Sequence, residues 1–357
     1  MCIRDRDEAE FNMIESKLQF DMSKGRWVAK YPWIRSPTEL SNNRKVAIAV
    51  MKSTERRLSR NEDHKVMYNK QIIDMIDRNA AREVTEEELT RYTGPQFYLS
   101  HHAVMKPESR STPCCIVFNS SAKYMGLSLN ECLAKGPSLL NSLLGILIRF
   151  RQNQIAFIGD IKKMFHSIDI PLHDQMVHLF LWRDCDTDSK PTTYAMTAVN
   201  MGDRPSATIA QIALRKTAES ALNRYPESAN IILQNAYMDD IPGSVNTEQE
   251  AEQCMSEIDE ILESKGFKIK RWFHNGNKSD TDLSFQHLIQ STETNSKLID
   301  TEGVLGMMWN ITDDTLYFKG KQFDVNSNYT KRTILSVTNS IYDPLGLLTP
   351  CLLYTSD

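Results

Sequence analysis

The sequence predicts an α+β fold, and three observations carry that expectation. "IAFIGD" (155–160) is a short apolar run ending in an acid, as a buried strand reads. "TIAQIALRKTAESAL" (208–222) and "EAEQCMSEIDEILESKG" (250–266) have helical periodicity, the second closed by Gly266. Between them, "IILQNAYMDDIPGSV" reads as strand, turn and strand. Strand, helix, hairpin, helix and strand thus succeed one another, with no internal repeat or low-complexity tract.

Upstream of this block the first 95 residues read as helical and mixed in charge. "NKQIIDMIDRNAAREV" carries an apolar stripe at Ile72, Ile73, Met75 and Ile76, and "TEEEL" starts a further helix at Thr85. Around 97–119 the pattern turns strand-like, in "QFYLSHHAV" and "CCIVFN", joined by a Pro- and Ser-rich link; a helix follows from about Ser138 to Gln152.

The chain's 357 residues leave room for two or three packed domains, and 41% hydrophobic with 25% charged residues is ordinary for a globular protein. The longest apolar stretch, "SLLNSLLGILIRF" (138–150), is interrupted by Arg149 and reads as a core helix rather than a membrane span. Seven cysteines without C-x-x-C spacing fit a reducing compartment and argue against a disulfide framework. A net charge of −4 does not announce a nucleic-acid binder, but charge is unevenly spread. Arg44–Lys65 carries seven Lys or Arg against three Asp or Glu, and "KGFKIKRW" (265–272) sets four cations around Phe267 and Trp272. Each taken alone reads first as a solvated surface.

The chemistry lies in the adjacent carboxylates Asp239 and Asp240. Acids crowded into one site stay ionised when a cation neutralises them. Asp160, at the tip of its own strand, supplies a third. Three acids on two neighbouring antiparallel strands can hold Mg²⁺, which takes hard oxygen ligands and leaves positions for water and substrate phosphates. Two such ions can activate an attacking 3′-hydroxyl and stabilise leaving pyrophosphate.

"D-IKKM-F" (160–165) and "YMDD" (237–240) resemble the palm motifs of reverse transcriptases. The wider pattern is similar to polymerases of Pao/BEL-type LTR retrotransposons. That pattern includes "KYPWIRSPTELSNNRKVA", "YTGPQFYLSHHAVMKPESRSTP", "VFNSSA", "VNMGDRPSATIAQIALRKTA", "GFKIKRWFHN", "VLGMMWN" and "KRTILSVTNSIYDPLGLLTP". The resemblance implies a right-hand polymerase with fingers, a palm built on an antiparallel sheet, and a helical thumb. It assigns 1–95 to an N-terminal helical extension and the start of the fingers, and 96–245 to fingers and palm. It assigns 246–310 to the end of the palm and a primer-grip hairpin, and 311–357 to the thumb and the truncated start of the region that follows. The implied activity is RNA-directed DNA polymerisation with Mg²⁺ as cofactor, Mn²⁺ being the alternative ion. The implied partners are an RNA or DNA template with its primer, deoxynucleoside triphosphates and other parts of a Pol polyprotein, with no membrane, in cytoplasmic retrotransposon particles.

Residue by residue, the resemblance makes Asp160, Asp239 and Asp240 the catalytic metal triad, with the Ile161 carbonyl as a further ligand. Phe165 would lie beneath the incoming sugar and exclude a 2′-hydroxyl. Gly202 and Pro205 would shape the loop against template and nascent pair. Lys106 would reach the triphosphate from the fingers, and Lys270 or Arg271 from the last palm strand. Leu305, Gly306, Met307, Met308 and Trp309 would form the primer grip. One departure stands out: relatives carry Arg before "IVFNSS", where this chain has Cys115, which brings neither charge nor planar stacking. Arg110 is the candidate substitute.

Plainer readings stand beside these. Asp239 and Asp240 suit a polar turn, Asp160 suits a helix N-cap, and Phe165 suits a core. His101 and His102 have no partner spacing for zinc and read as structural. Trp272 and Phe273 read equally as core or as stacking surfaces. Two other functions compete with polymerisation. Cys115 favours a non-catalytic remnant that binds nucleic acid, and a nuclease also needs clustered carboxylates, although "YMDD" after "D-x4-F" fits a palm better. The ends, "MCIRDR" and "CLLYTSD", look like translated adapter read-through, so the chain is expected to be an internal fragment of a longer protein.

Overall fold

The computed structural model describes residues 3–105, 113–276, 301–317, 330–338 and 340–347. In chain order, the first elements are α1 (Ile3–Ser16), β1 (Leu18–Asp21), β2 (Arg26–Ala29), α2 (Arg44–Leu58), α3 (Glu62–Asp77), β3 (Ala81–Glu83), α4 (Glu86–Arg91), β4 (Ser100–Met105) and β5 (Cys114–Asn119). There follow α5 (Leu143–Phe150), β6 (Ile155–Ile161), β7 (Ile168–Asp169), α6 (Leu172–Gln175), β8 (Leu179–Trp182), β9 (Thr192–Met196) and α7 (Ser206–Glu219). The rest are α8 (Pro226–Asn235), β10 (Asp240–Val245), α9 (Glu248–Glu263), β11 (Ile269–His274), β12 (Thr301–Val304), β13 (Met307–Asn310), β14 (Thr315–Tyr317) and α10 (Lys331–Thr338). The fold is α+β, with mostly antiparallel sheets.

The chain divides into two compact units. The first comprises the described residues of Met1–Leu139, Lys163–Lys216 and Ser264–Phe267. It holds three sheets, ordered β1-β2-β7, β3-β9-β8 and β4-β5, with α2 packed on β4 and α3 on β5. Helix starts here follow side-chain chemistry. Asn61 caps α3 by accepting from the His64 amide, and Thr85 caps α4 by accepting from the Glu88 amide. Both helices open with acids that complement the exposed amide dipoles. The β1–β2 hairpin corrects the all-helical reading of the N-terminal stretch. Its turn forms because Asp21 accepts from the Ser23 and Lys24 amides while Gly25 takes φ +62°.

The second unit comprises the described residues of Leu140–Lys162, Thr217–Glu263 and Lys268–Asp357. Its main sheet runs β10-β6-β11, all antiparallel, and a second runs β12-β13-β14. One face of the main sheet contributes Ala156 and Ile158 to a core with Ile146, Leu147 and Phe150 of α5, and with Val304, Met307 and Trp309 of the β12–β13 hairpin. Ser142 caps α5, accepting from the Gly145 amide. Thr247 and Glu250 form a reciprocal capping box ahead of α9.

The predicted strand over 231–233 is instead part of α8. Pro226 occupies its first turn, where a missing N–H costs nothing. Ser228, Ala229, Ile232 and Asn235 are its buried residues, spaced as a helix face requires. The β-branched run "IIL" wraps around the helix rather than alternating across a sheet: Ile232 is buried, and its two neighbours only half so.

In the first unit, Glu55 of α2 and Arg183, just past β8, form a buried bidentate pair at 2.8 and 2.9 Å. Arg183 also donates through Nη1 to the carbonyls of Thr187 and Ser189. Arg183→Ala leaves the Glu55 carboxylate buried without a counter-charge, so urea unfolding should show a loss of about 3–5 kcal/mol.

Candidate active site

The strand β6 lies between β10 and β11, and its tip is the centre of the site. Asp160 pairs directly across from Asp240, so both side chains leave the same face of the sheet. Like charges placed opposite each other destabilise a sheet. The other neighbour answers this. Between Ile269, opposite Ile161, and Trp272, opposite Gly159, β11 carries one residue too many. Lys270 and Arg271 therefore both oppose Asp160, as in a β-bulge that re-aims a side chain. The Lys270 ammonium comes to 3.9 Å from the Asp160 carboxylate, with both side chains about one-third exposed. The Arg271 guanidinium lies 4.5 Å over the Phe273 ring. Of the two cations expected near the triphosphate, both stand at the bulge opposite Asp160.

"YMDD" forms the tight turn leading into β10. Tyr237 and Asp240 exchange both backbone hydrogen bonds, at 2.9 and 3.1 Å. Met238 pays for this tightness with φ +55°, in the left-handed region that a side chain disfavours. Asp239 is exposed at the turn, and its carbonyl accepts from the Ile161 amide at 2.7 Å. The turn is thereby tied to the end of β6. Strand, turn and helix α8 together replace the hairpin expected here.

The opposite face of the same sheet is aromatic. A Cβ on Gly159 would lie 2.6 Å from the Trp272 ring, and one on Gly243 2.4 Å from the Phe157 ring. Phe157 and Trp272 meet edge to face at 5.8 Å, and the Trp272 indole donates to Asp259 of α9. Only glycine lets rings lie this close to the backbone one residue from Asp160.

Among the described residues, no three His, Cys, Asp or Glu side chains stand close enough together to hold a metal ion. The donor chemistry nonetheless suits one. Asp160 and Asp240 share a face, Asp239 adjoins them in the turn, and carboxylate and carbonyl oxygens are what Mg²⁺ takes.

The remaining predicted residues are distributed as follows. Phe165 is half-buried in the short 3-10 turn Met164–Ser167 of the first unit. Beside it, His166 is pushed down to about 3 by burial and by the Arg78 and Lys163 cations, so its imidazole is neutral. Gly202, also in the first unit, faces the Phe118 carbonyl so closely that a Cβ would approach it to 2.3 Å; Pro205 is buried. Cys115 sits half-buried on β5, opposite Val104. Lys106 and Arg110 lie outside the described residues. In the second unit, Leu305 and Gly306 form the tip of the β12–β13 hairpin, with φ +51° and +89°. Leu305, Met307 and Trp309 are core residues, so among the five expected to grip primer only Gly306 and Met308 reach the surface. Burial of an apolar strand face explains this, and alternation along 307–310 was its signal. Sequence reading missed the Gly159–Trp272 contact and the bulge, which depend on register.

Residues 116–272, somewhat under half of the chain, match the family model described as reverse transcriptase (RNA-dependent DNA polymerase). That segment is similar to reverse-transcriptase domains. No curated protein matches the chain. Solved structures similar to it include a foamy viral protease-reverse transcriptase dRH in complex with double-stranded DNA, at 13% identity and TM-score 0.49, covering 95% of this chain and 52% of that one. The prototype foamy virus protease-reverse transcriptase is similar as a CSH mutant, at 16% identity and TM-score 0.42, with 58% and 24% covered. Its native form gives 16% identity and TM-score 0.38, with 56% and 22% covered. The chain thus spans about half, or less, of the length of these structures. No helix among the described residues is long and apolar enough to cross a membrane.

The packing at Gly159 is directly testable. Gly159→Ala should cost about 1–3 kcal/mol by overpacking. Adding Trp272→Ala should make the alanine at 159 nearly neutral, read as a coupling energy in a double-mutant cycle by chemical denaturation.

Proposed function

We propose that this chain carries the polymerase of a Pao/BEL-type LTR retrotransposon and extends a primer on an RNA or DNA template with deoxynucleoside triphosphates. The observation that carries the reading is Asp160 opposite Asp240 at the tip of β6, with Asp239 tied to the same tip, inside a segment that matches the reverse-transcriptase family.

In this reading Asp160, Asp239, Asp240 and the Ile161 carbonyl hold Mg²⁺, with Mn²⁺ as the alternative ion. The bound ions would supply Lewis-acid stabilisation of the attacking 3′-hydroxyl and of the departing pyrophosphate. The chain's own residues do the positioning. The β6–β10 pairing fixes the separation of the two carboxylates, and the bulge holds Lys270 where it offsets their charge. Phe165 selects against ribonucleotides, and Gly202 and Pro205 shape a loop against the nascent pair. An A-form hybrid would be recognised by its backbone and 2′-hydroxyls, as copying any sequence requires. Replication in cytoplasmic particles, alongside other parts of a Pol polyprotein, completes the proposal.

Cys115 supports a second reading, a non-catalytic copy that still binds nucleic acid. A half-buried thiol on β5 supplies no charge for a triphosphate.

Primer extension on an RNA template with Mg²⁺ separates the two. Asp160→Asn, Asp239→Asn or Asp240→Asn should each lower the rate by about three orders of magnitude or more. Wild type that binds hybrid without extending it, with extension restored by Cys115→Arg, would establish the second reading instead. Metal binding has its own readout without turnover. In chelator, Asp240→Asn should melt slightly above wild type because like charges are no longer opposed. Mg²⁺ should then raise the melting temperature of wild type and not that of the variant.

A further inference from the structure

The first unit contains a buried polar network that the chemistry above does not use. Asp203, in the turn between β9 and α7, has a side chain with no exposure, as has His178 just before β8. One carboxylate oxygen of Asp203 accepts from the Tyr31 hydroxyl and from His178 Nε2, the latter at 3.0 Å. The other accepts from the Ser120 hydroxyl and from Asn200 Nδ2, the latter at 3.1 Å. Four donors from four parts of the unit converge on one acid.

Hydrogen-bond chemistry sets the charge of this network. His178 Nδ1 lies 2.7 Å from the Asp174 carbonyl, which can only accept, so Nδ1 carries a proton. Nε2 faces a carboxylate already taking three other donors, so Nε2 carries one too. His178 is therefore an imidazolium, stacked on the Tyr31 ring at 4.7 Å. The other titratable groups beside it are Asp174, whose carboxylate accepts from the Tyr31 amide and the Trp33 indole, and His173, 3.5 Å from Asp174.

The same turn is held from its outer side. Asn130 donates to the Gly202 carbonyl and accepts from the Arg204 amide, and the Ser206 hydroxyl donates to the Asn200 carbonyl. Met201 and Arg204 remain exposed, and Arg204 has no acidic partner among the described residues. A turn fixed at this many points holds one cation and one apolar side chain in a preorganised arrangement.

We propose that Asp203 is a positioning residue, which with His178, Tyr31, Ser120 and Asn200 locks the 200–206 turn into the one backbone arrangement that engages template and primer. This rests on the reading of the chain as a polymerase and deepens it. The lock is sensitive to pH. Burial pulls His178 down, but attraction and hydrogen bonding from Asp203 carry it above the ordinary imidazole value. Burial pushes Asp203 up, and His178 with the other donors outweighs this and holds it below the usual carboxylate range. A raised histidine contributes stability fully below about pH 6.5 and loses it as pH climbs through its folded value; a lowered aspartate contributes above about pH 3.9 and loses it as pH falls through its own. The pair is complete between, and on the alkaline side the Nε2 lone pair would face the carboxylate.

The test is hydrogen exchange of peptides covering 199–206 from pH 5.5 to 9, without nucleic acid and corrected for intrinsic rates, beside the affinity for a labelled RNA–DNA hybrid. Wild-type exchange should accelerate by about ten-fold as His178 deprotonates, and hybrid binding should weaken in step. Asp203→Ala should exchange fast, and bind weakly, at every pH. Asp203→Asn should stay protected throughout, because its amide can donate to a neutral His178, and its profile should be flat. A protected turn in Asp203→Ala, or a surviving pH dependence in Asp203→Asn, overturns the lock. Exchange that changes while affinity does not overturns the positioning role. If Asp203→Ala does not fold, wild type and Asp203→Asn still decide. Failure of the polymerase reading is distinct: wild type would neither bind hybrid nor extend primer at any pH, while exchange would still report the lock.

Discussion

The second unit is organised around one unfavourable arrangement: two carboxylates, Asp160 and Asp240, held opposite each other on paired strands. Much of what surrounds them makes that arrangement tolerable. A bulge on the far side of β6 brings Lys270 alongside, and the acids stay partly exposed, where water screens them. The backbone ties at Ile161 and Tyr237 fix the turn so that the acids cannot relax apart. A sheet optimised for stability alone would not place them so, and this is the kind of local cost that functional sites carry.

The two faces of that sheet divide the work. On the face of the acids, Ala156 and Ile158 continue into the core shared with α5 and the β12–β13 hairpin. On the other, two glycines admit the Phe157 and Trp272 rings against the backbone. The strand that carries Asp160 is thus packed on both faces.

How far the sequence could be read depended on the range of the interaction involved. The strand 155–160, the helices over 208–222 and 250–266 and the cap at Thr85 rest on local periodicity and local hydrogen bonds, and they stand close to where they were expected. The run 231–233 misled because a β-branched triplet looks the same on a buried strand and around a helix, and Pro226 was the stronger signal. Asp160, Asp239 and Asp240 were singled out by their types and order, and the β6–β10 register sets Asp160 across from Asp240. The bulge at Lys270, the aromatic rings over glycine and the four donors on Asp203 were not, since each depends on residues far apart in the chain meeting at one register. The burial of Met307 and Trp309 lay between these cases, visible as alternation but masked by the functional role expected of them.

The division of the chain into units has a kinetic consequence. The second unit is assembled from three separate passes of the chain, and β6 is made well before both of its partners, β10 and β11. At about 5–20 residues per second, a ribosome leaves "IAFIGD" without either neighbouring strand for several seconds. During that interval an apolar strand with two open edges is a template for pairing with other chains. Assembly of the acid-bearing sheet therefore waits on β10 and β11, and its yield should depend on what shields β6 until the YMDD turn emerges.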